Sequence, residues 1–283
     1  MSSRPPVPPP LSSPEAAAAI APPARAAALP AAVIASPVSR DRLERWTAAR
    51  VALGRAGSSL PTSVHLGFLH DHARARDAVW TAVDFDELTR RLGASGVVTA
   101  KVRSQASDRG EYLRRPDLGR LLEADAEATL SHRAGSGSAR AVIVVADGLS
   151  AQAIQINSQA VIEALLPQLA NAGVTVGPVV LVEQGRVAVG DPIAVALGAE
   201  LAIVLIGERP GLSAADSLGC YLTWSPRPGT PDSRRNCISN IRAGGLAPAE
   251  AARKIAWLAA QALRRGVSGL ALKDEAPPAQ VEG

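Results

Sequence analysis

The stretch AVIVVADGLSAQAIQINSQAVIEALLPQLANAG, residues 141–173, decides the fold class of this chain. Residues 141–146 are all apolar and an Asp-Gly pair ends the run, a pattern typical of a strand that is covered on both faces of a sheet. Apolar side chains then recur at helical spacing, with Ser150 as the N-cap and Gly173 as the stop. A buried strand followed directly by a helix predicts an α/β fold.

The rest of the C-terminal half repeats this alternation. Strands are predicted within VTVGPVVLVEQ, ELAIVLIGE and SLGCYLTWS, a short helix within DPIAVALGA, and a long terminal helix within APAEAARKIAWLAAQALRRG. Strands that alternate with helices imply right-handed crossovers and a parallel sheet. We therefore expect residues 137–275 to form a parallel sheet flanked by helices, with a ligand site beyond the carboxyl ends of the strands. Asp147, the EQGRV loop and the GERPGL segment are expected to emerge at that edge.

The segment before this sheet favours helices. Helical spacing is found in RDRLERWTAARVAL, TSVHLGFLHDHARARDAVW and FDELTRRLG, and SHRAGSGSAR has the composition of a linker. We expect residues 39–136 to form a mostly helical domain.

Both ends of the chain are predicted to be tails. Residues 1–38 are rich in Pro and Ala, and charged residues and prolines interrupt every apolar run, so neither a signal peptide nor a membrane-spanning helix is expected there. The segment is predicted to be disordered, with a short partner-docking helix in SPEAAAAIA as the alternative. Residues 276–283 are predicted to be a C-terminal tail.

Composition excludes several classes of protein. The net charge is +4, but acidic and basic residues are interleaved and only 3% of the 283 residues are aromatic, which argues against a nucleic-acid partner. Two cysteines, Cys220 and Cys237, cannot form a disulfide framework or a four-thiolate metal site, and they favour a reducing cytoplasm.

Common catalytic motifs are missing. The first strand-helix junction reads ADGLSAQ, without the G-x-G-x-x-G of a dinucleotide site, which disfavours a free-standing oxidoreductase. His70 and His72 point to different faces of a helix, so no metal site is predicted despite the nearby His65. Cys237 follows two arginines that could lower its pKa, but a packed or ligand-facing cysteine is favoured over a catalytic thiolate.

The segment IGERPGL, residues 206–212, places Glu208 and Arg209 directly after a buried strand. The Pro-Gly pair is explained by a turn, but the charged pair is not. The two charges form either a solvated ion pair on the rim or one wall of a binding crevice.

Several segments together carry a family resemblance. They are VVADGLSAQAIQIN, GRVAVGDPIAVALGAELAIVLIGERPGL, SLGCYLTWSP, CISNI and GGLAPAEAARKIAWL, with GRAG, RPDLGR and FLHDHARARDAV in the predicted helical domain. These segments occur along the chain in the family's order and with compatible spacing, over roughly residues 40–272. In them the sequence resembles the small (light) chain of ethanolamine ammonia-lyase.

The resemblance implies one subunit of a carbon-nitrogen lyase that is active only with its large subunit. The large subunit, a β/α barrel, would hold the substrate pocket, and the small chain would cover adenosylcobalamin (coenzyme B12) with a Rossmann-like domain. Several large/small pairs would form the hetero-oligomer, which converts ethanolamine to acetaldehyde and ammonia by a radical mechanism. The implied cofactor contacts are Val187, Glu208 and Cys237.

The implied cofactor would bind with its nucleotide base on cobalt, because the D-x-H-x-x-G motif of base-off domains is missing. We therefore predict neither a metal ligand nor a catalytic acid or base in this chain. The alternative is a small-molecule-binding or assembly subunit without cobalamin function. Arg55, Arg114 and Arg120 either are solvated charges or meet the large subunit. A bacterial microcompartment is an alternative location to the open cytoplasm.

Overall fold

The chain divides into two compact units, Met1–Ala52 and Leu53–Gly283. The computed structural model describes Leu43, Trp46, Thr47, residues 49–133 and residues 139–277. In the first unit, the amides of Trp46 and Thr47 donate hydrogen bonds to the Leu43 carbonyl at 2.9 and 3.1 Å. The predicted disordered tail, residues 1–38, lies outside the described residues.

The second unit combines helices with a six-stranded sheet. The helices are α1 (Thr62–Trp80), α2 (Phe85–Ala94), α3 (Arg109–Arg114), α4 (Ala126–Arg133), α5 (Ala151–Asn171), α6 (Gly190–Ala196) and α7 (Pro248–Arg265). The strands are β1 (Thr99–Arg103), β2 (Ala141–Ala146), β3 (Val179–Glu183), β4 (Leu201–Gly207), β5 (Leu218–Trp224) and β6 (Arg235–Ile241). Within the described part of the chain, no helix is long and apolar enough to cross a bilayer.

The helices predicted at 62–80 and 85–93 are confirmed by α1 and α2. A helix was predicted over residues 40–53. Residues 49–53 are not helical, and most of the remaining predicted residues lie outside the described part of the chain. Strand β1 falls in the segment that was predicted to be mostly helical, and it pairs with β3. The domain boundaries stay a prediction.

The sheet is mixed, with strand order β1-β3-β2-β4-β5-β6. The first four strands in this order are parallel, whereas β5 runs antiparallel to β4 and β6 antiparallel to β5. The prediction of a parallel sheet is therefore wrong for β5, and β6 was not among the predicted strands. A parallel neighbour requires a long crossover, usually through a helix, and residues 208–217 and 225–234 contain no α-helix, so the chain turns back each time.

Two apolar layers enclose the sheet. On one face, helices α2, α5 and α7 pack side chains such as Leu88, Leu165 and Ile255 against strand residues that include Ile143 and Ile203. The other face is covered by α4 and α6. Every residue of β2 and β4 is buried, as expected for strands that are covered on both sides.

The second face is less covered at β5 and β6. Tyr221 and Cys237 are paired across these two strands. Tyr221 is only partly buried at the edge of the second apolar layer, and Cys237 is exposed. The sheet therefore presents an open surface next to the carboxyl end of β4.

Candidate functional site

A pocket of about 400 Å³ opens beyond the carboxyl ends of β2 and β4. From β2 the chain crosses to β3 on one side, and from β4 it turns to β5 on the other side. Such a reversal is where open α/β sheets bind ligands. The side chains that line the pocket include Arg186, Val187, Glu208, Arg209, Tyr221 and Ser239.

Two glycines let the ends of β2 and β4 approach each other. A Cβ atom at Gly148, where φ is +59°, would lie 2.3 Å from the Gly207 carbonyl oxygen, and one at Gly207 would lie 2.2 Å from the Ser150 carbonyl oxygen. The Leu149 amide donates to the Gly207 carbonyl at 2.8 Å. Because no side chain fits at either glycine, the pocket is lined by backbone atoms at these two positions.

The Ser150 hydroxyl connects the first turn of α5 to the loop between β4 and β5. It accepts a hydrogen bond from the Ala153 amide at 3.0 Å, which confirms Ser150 as the N-cap of α5. It also donates to the Ala215 carbonyl at 2.6 Å, in the loop between β4 and β5.

Glu208 is held by the loop that follows it. The Ser217 hydroxyl donates to Glu208 Oε2 at 2.5 Å, and the Asn240 amide donates to the same oxygen at 3.3 Å. A Cβ atom at position 219 would lie 2.9 Å from Glu208 Oε1, so glycine leaves room for this carboxylate. No ion pair joins Glu208 to Arg209 in the described part of the chain, and both residues line the pocket. This placement favours the crevice over the rim ion pair.

Cys237 lies opposite Tyr221, its partner across the antiparallel strands β5 and β6. Burial raises the pKa of Cys237, and it is also the main reason why the pKa of Tyr221 rises to about 12. Both groups are therefore protonated near neutral pH. The upstream Arg235 does not activate the thiol, because its guanidinium donates two 2.7 Å hydrogen bonds to the buried carboxylate of Asp191. A catalytic thiolate is thus disfavoured.

A buried carboxylate lies below the pocket. Asp147 accepts hydrogen bonds from the amides of Gln184 and Gly185, both at 2.9 Å, in the loop that leads to Val187. Arg109 Nη1 lies 3.6 Å from Asp147 Oδ2. Burial raises the pKa of Asp147 to about 6, although Arg109 and the backbone amides act in the opposite direction.

Comparison with known proteins identifies the family. The profile described as "Ethanolamine ammonia-lyase light chain (EutC)" matches residues 38–273. One similar protein is named "Ethanolamine ammonia-lyase small subunit" and comes from Bradyrhizobium diazoefficiens. It is 52% identical over 234 residues, which cover 82% of this chain and 89% of the relative. The relative in Azotobacter vinelandii is 49% identical over 245 residues, 86% of this chain and 91% of its own length. This chain belongs to the ethanolamine ammonia-lyase small-subunit family.

Membership in the small-subunit family confirms the resemblance seen in the sequence. The structure places Val187 and Glu208 in the pocket wall, and it places Cys237 beside Tyr221, which lines the same pocket. Val187 and Glu208 are thus brought into one pocket, whereas Cys237 does not line it and lies on the open face of β5 and β6. Their role as cofactor contacts stays a prediction.

Other residues around this small-subunit pocket were not singled out from the sequence. Tyr112 is fully buried under the pocket. The guanidinium carbons of Arg109 and Arg186 lie over its ring, 4.7 and 4.1 Å from the ring centroid. No sequence signal joins these residues, because α3 and the loop after β3 are far apart in the chain. Asp147 was expected at this edge of the sheet, because it directly follows an all-apolar strand, but its hydrogen bonds to the loop after β3 were not expected.

The histidines of the HDH segment lie away from the pocket wall. His65, His70 and His72 are exposed on α1. His70 Nδ1 lies 3.4 Å from Asp71 Oδ1, and the His72 ring stacks against Phe68 with centroids 6.2 Å apart.

Proposed function

We propose that this chain is the small subunit of an adenosylcobalamin-dependent ethanolamine ammonia-lyase and binds the cofactor together with a large subunit. The observation that carries the proposal is that Val187 and Glu208 line one pocket with Tyr221, and that Cys237 lies on the open face directly opposite Tyr221.

The chemistry of the pocket suits a corrin. A corrin is a wide, flat ring whose side chains end in amides, so it requires apolar contact together with hydrogen-bonding groups. Val187, Ile206 and Tyr221 offer apolar surface in the pocket. The carboxylate of Glu208 accepts hydrogen bonds from amide N–H groups, and the guanidinium of Arg209 donates to amide carbonyls.

The size of the pocket supports a shared cofactor. Its volume, about 400 Å³, is near the lower end of the roughly 300–1,000 Å³ that is usual for drug-sized ligands, and a cobalamin is larger than such ligands. This chain can therefore cover one side of the ring, and a large subunit would cover the other. Arg55, Arg114 and Arg120 are exposed, and their contact with that subunit stays a prediction.

In the assembled enzyme, this chain would bind and orient the corrin and exclude water from its edge. When bound, adenosylcobalamin supplies the radical chemistry that converts ethanolamine to acetaldehyde and ammonia. We assign no cobalt ligand and no proton transfer to residues of this chain, and we place the cofactor in its base-on form. Activity would require the large subunit, which carries the substrate.

The first experiment measures acetaldehyde formation from ethanolamine with adenosylcobalamin present. We compare this chain alone, a large subunit from the same organism alone, and the two combined. Activity only in the combination supports the proposal. An assembled but inactive complex that gives no spectral change with cobalamin would instead favour the binding or assembly subunit without cobalamin function.

Glu208→Ala tests the site itself. We expect the KM for adenosylcobalamin to rise about tenfold with kcat nearly unchanged, because a binding hydrogen bond is lost while the chemistry remains on the cofactor. Glu200→Ala is the matched control: Glu200 directly precedes β4 at the opposite edge of the sheet, where it pairs with Arg140 at 2.7 Å. Equal KM values for both variants would contradict the assignment of Glu208.

A further inference from the structure

The loop after β3 carries Arg186 and Val187 into the pocket, and it is held by a residue that does not line the pocket. We propose that Asp147 is a positioning residue for the cofactor site: its buried carboxylate fixes the backbone of residues 184–187 and thereby places Val187 against the ligand. The inference rests on the proposed function, because it concerns binding at the same site.

The carboxylate of Asp147 binds two consecutive amides. Gln184 N–H donates to Oδ2 and Gly185 N–H donates to Oδ1, each at 2.9 Å. Gln184 has a φ of +56°, in the left-handed region that residues other than glycine rarely adopt. Such a conformation persists only when its surroundings hold it in place, and the two hydrogen bonds to Asp147 do so.

The same loop is fixed from its other side. The Tyr112 hydroxyl donates to the Gly185 carbonyl at 3.2 Å, and the Arg186 amide donates to the Gly119 carbonyl at 2.7 Å. A Cβ atom at Gly185 would lie 2.9 Å from the Ala146 Cβ, so the loop packs directly on the end of β2. All these contacts act on the residues directly before Val187, and Asp147 alone binds two of their amides, so we expect a change at Asp147 to shift Val187 in the pocket.

Arg109 fixes the carboxylate in turn. Its Nη1 lies 3.6 Å from Asp147 Oδ2 and donates to Gln184 Oε1 at 3.4 Å, while its Nε donates to the Val79 carbonyl at 2.6 Å. Burial makes the ionised form of Asp147 costly, and an apolar or amide side chain would avoid that cost. The two hydrogen bonds from one loop account for a carboxylate at this buried position, because that loop carries Val187 into the pocket.

The test uses Asp147→Asn and Asp147→Ala in the complete enzyme with its large subunit. Asn presents one acceptor oxygen, so one of the two amides loses its partner; Ala removes both. Glu183→Gln is the matched control, because Glu183 directly precedes the loop and its carboxylate pairs with Lys101 and Arg103 at the surface. Co-elution with the large subunit and the melting temperature establish that each variant assembles.

Three measurements are made on each complex. Spectral titration with adenosylcobalamin gives Kd, steady-state kinetics give kcat at saturating cofactor, and hydrogen-deuterium exchange without cofactor follows the peptide that spans residues 181–189. We expect Kd to rise about tenfold for Asp147→Ala and less for Asp147→Asn, kcat to stay within about twofold, and exchange to accelerate at residues 184–186. Glu183→Gln is expected to match the wild type.

A purely structural role would lower the melting temperature or the yield of complex and leave Kd unchanged in the complex that forms. Unchanged Kd and exchange in both Asp147 variants, with weaker binding in Glu208→Ala, would overturn the inference and leave the proposed function standing. If wild-type enzyme shows no cobalamin binding at all, the proposed function is wrong and the inference falls with it. If Asp147→Ala does not assemble with the large subunit, the Kd and hydrogen-deuterium exchange of Asp147→Asn test the inference instead.

Discussion

At Asp147, burial and hydrogen bonding act in opposite directions on one carboxyl group, and burial is the larger effect. Its pKa is about 6 in the folded chain, above the ordinary 3.8. A raised pKa means that the folded chain holds the proton more tightly than the unfolded chain does. The contribution of this group to stability is therefore fully present below about pH 4 and is lost as pH rises through about 6.

This linkage gives a measurable pH dependence. We expect the free energy of unfolding of the wild type, relative to Asp147→Asn, to decrease between pH 4 and pH 7. Arg109 and Tyr112 lie beside the carboxyl group, and burial raises the pKa of Tyr112 well above its usual range, so Tyr112 does not titrate in this window. Urea denaturation of both proteins at several pH values measures the difference. A difference that does not vary with pH would show that Asp147 does not titrate there.

The two cysteines provide a second test at the residue scale. Cys237 is exposed but its pKa is raised, while Cys220 is completely buried and its pKa is raised much further. At pH 7.5 we expect iodoacetamide to modify Cys237 slowly and Cys220 only in denaturant. If Cys237 contacts cobalamin as proposed, adding the cofactor to the assembled enzyme should slow the modification of Cys237 further, which mass spectrometry of the peptides can measure. Equal rates with and without cobalamin would argue against Cys237 as a contact.

Between β2 and β4, the approach of the strand ends depends on Gly148. Gly148→Ala would force a Cβ to 2.3 Å from a carbonyl oxygen at a positive φ, so we expect a loss of about 3 kcal/mol or more. Gly173→Ala is the control: its φ is +71°, but no atom lies within 4 Å of the added Cβ, so only the backbone strain of about 1 kcal/mol applies. Similar losses in urea denaturation would show that the strand ends tolerate separation.

The elements that the sequence predicted well are those with uniform patterns. The all-apolar runs of β2 and β4 and the spacing in α5 each permit one interpretation, because burial on both faces of a strand requires apolar residues throughout. The direction of β5 was missed although a signal was present: residues 208–217 include a Pro-Gly turn, and no helical pattern was identified in them. Only a crossover can make a neighbouring strand parallel.

Edge strands were harder to predict. β1 alternates buried residues with partly or fully exposed ones over only five positions, and β6 exposes as many residues as it buries, so neither resembles a core strand. Of the candidate site, the pocket edge and the position of Glu208 followed from strand order. The Arg109–Tyr112–Asp147 cluster did not, because its contacts join α3 to strand ends that lie far along the chain.

For the molecule as a whole, the isolated subunit leaves apolar surface exposed. On α1, Leu66, Leu69 and Trp80 are 57%, 48% and 58% exposed, and the second face of β5 and β6 is open. If a large subunit covers such surface, binding stabilises the folded chain by mass action. We expect the melting temperature of the small chain to rise by about 5 °C or more at a large-subunit concentration ~100 times Kd. Calorimetry that shows two unchanged transitions after mixing would contradict this.

The mixed sheet also has a kinetic consequence. Pairing of β4, β5 and β6 closes two short connections, whereas β3, which leads to Val187, pairs with β2 across residues 147–178 and with β1 across residues 104–178. Local contacts form sooner than distant ones, because the entropy of closing a loop grows with its length. We therefore expect Glu208 and Cys237 to reach their places early in folding and Val187 to reach its place late. A folding intermediate in which β4, β5 and β6 are paired but β3 is not would place Glu208 and Cys237 without Val187. It would have native local structure but an incomplete pocket.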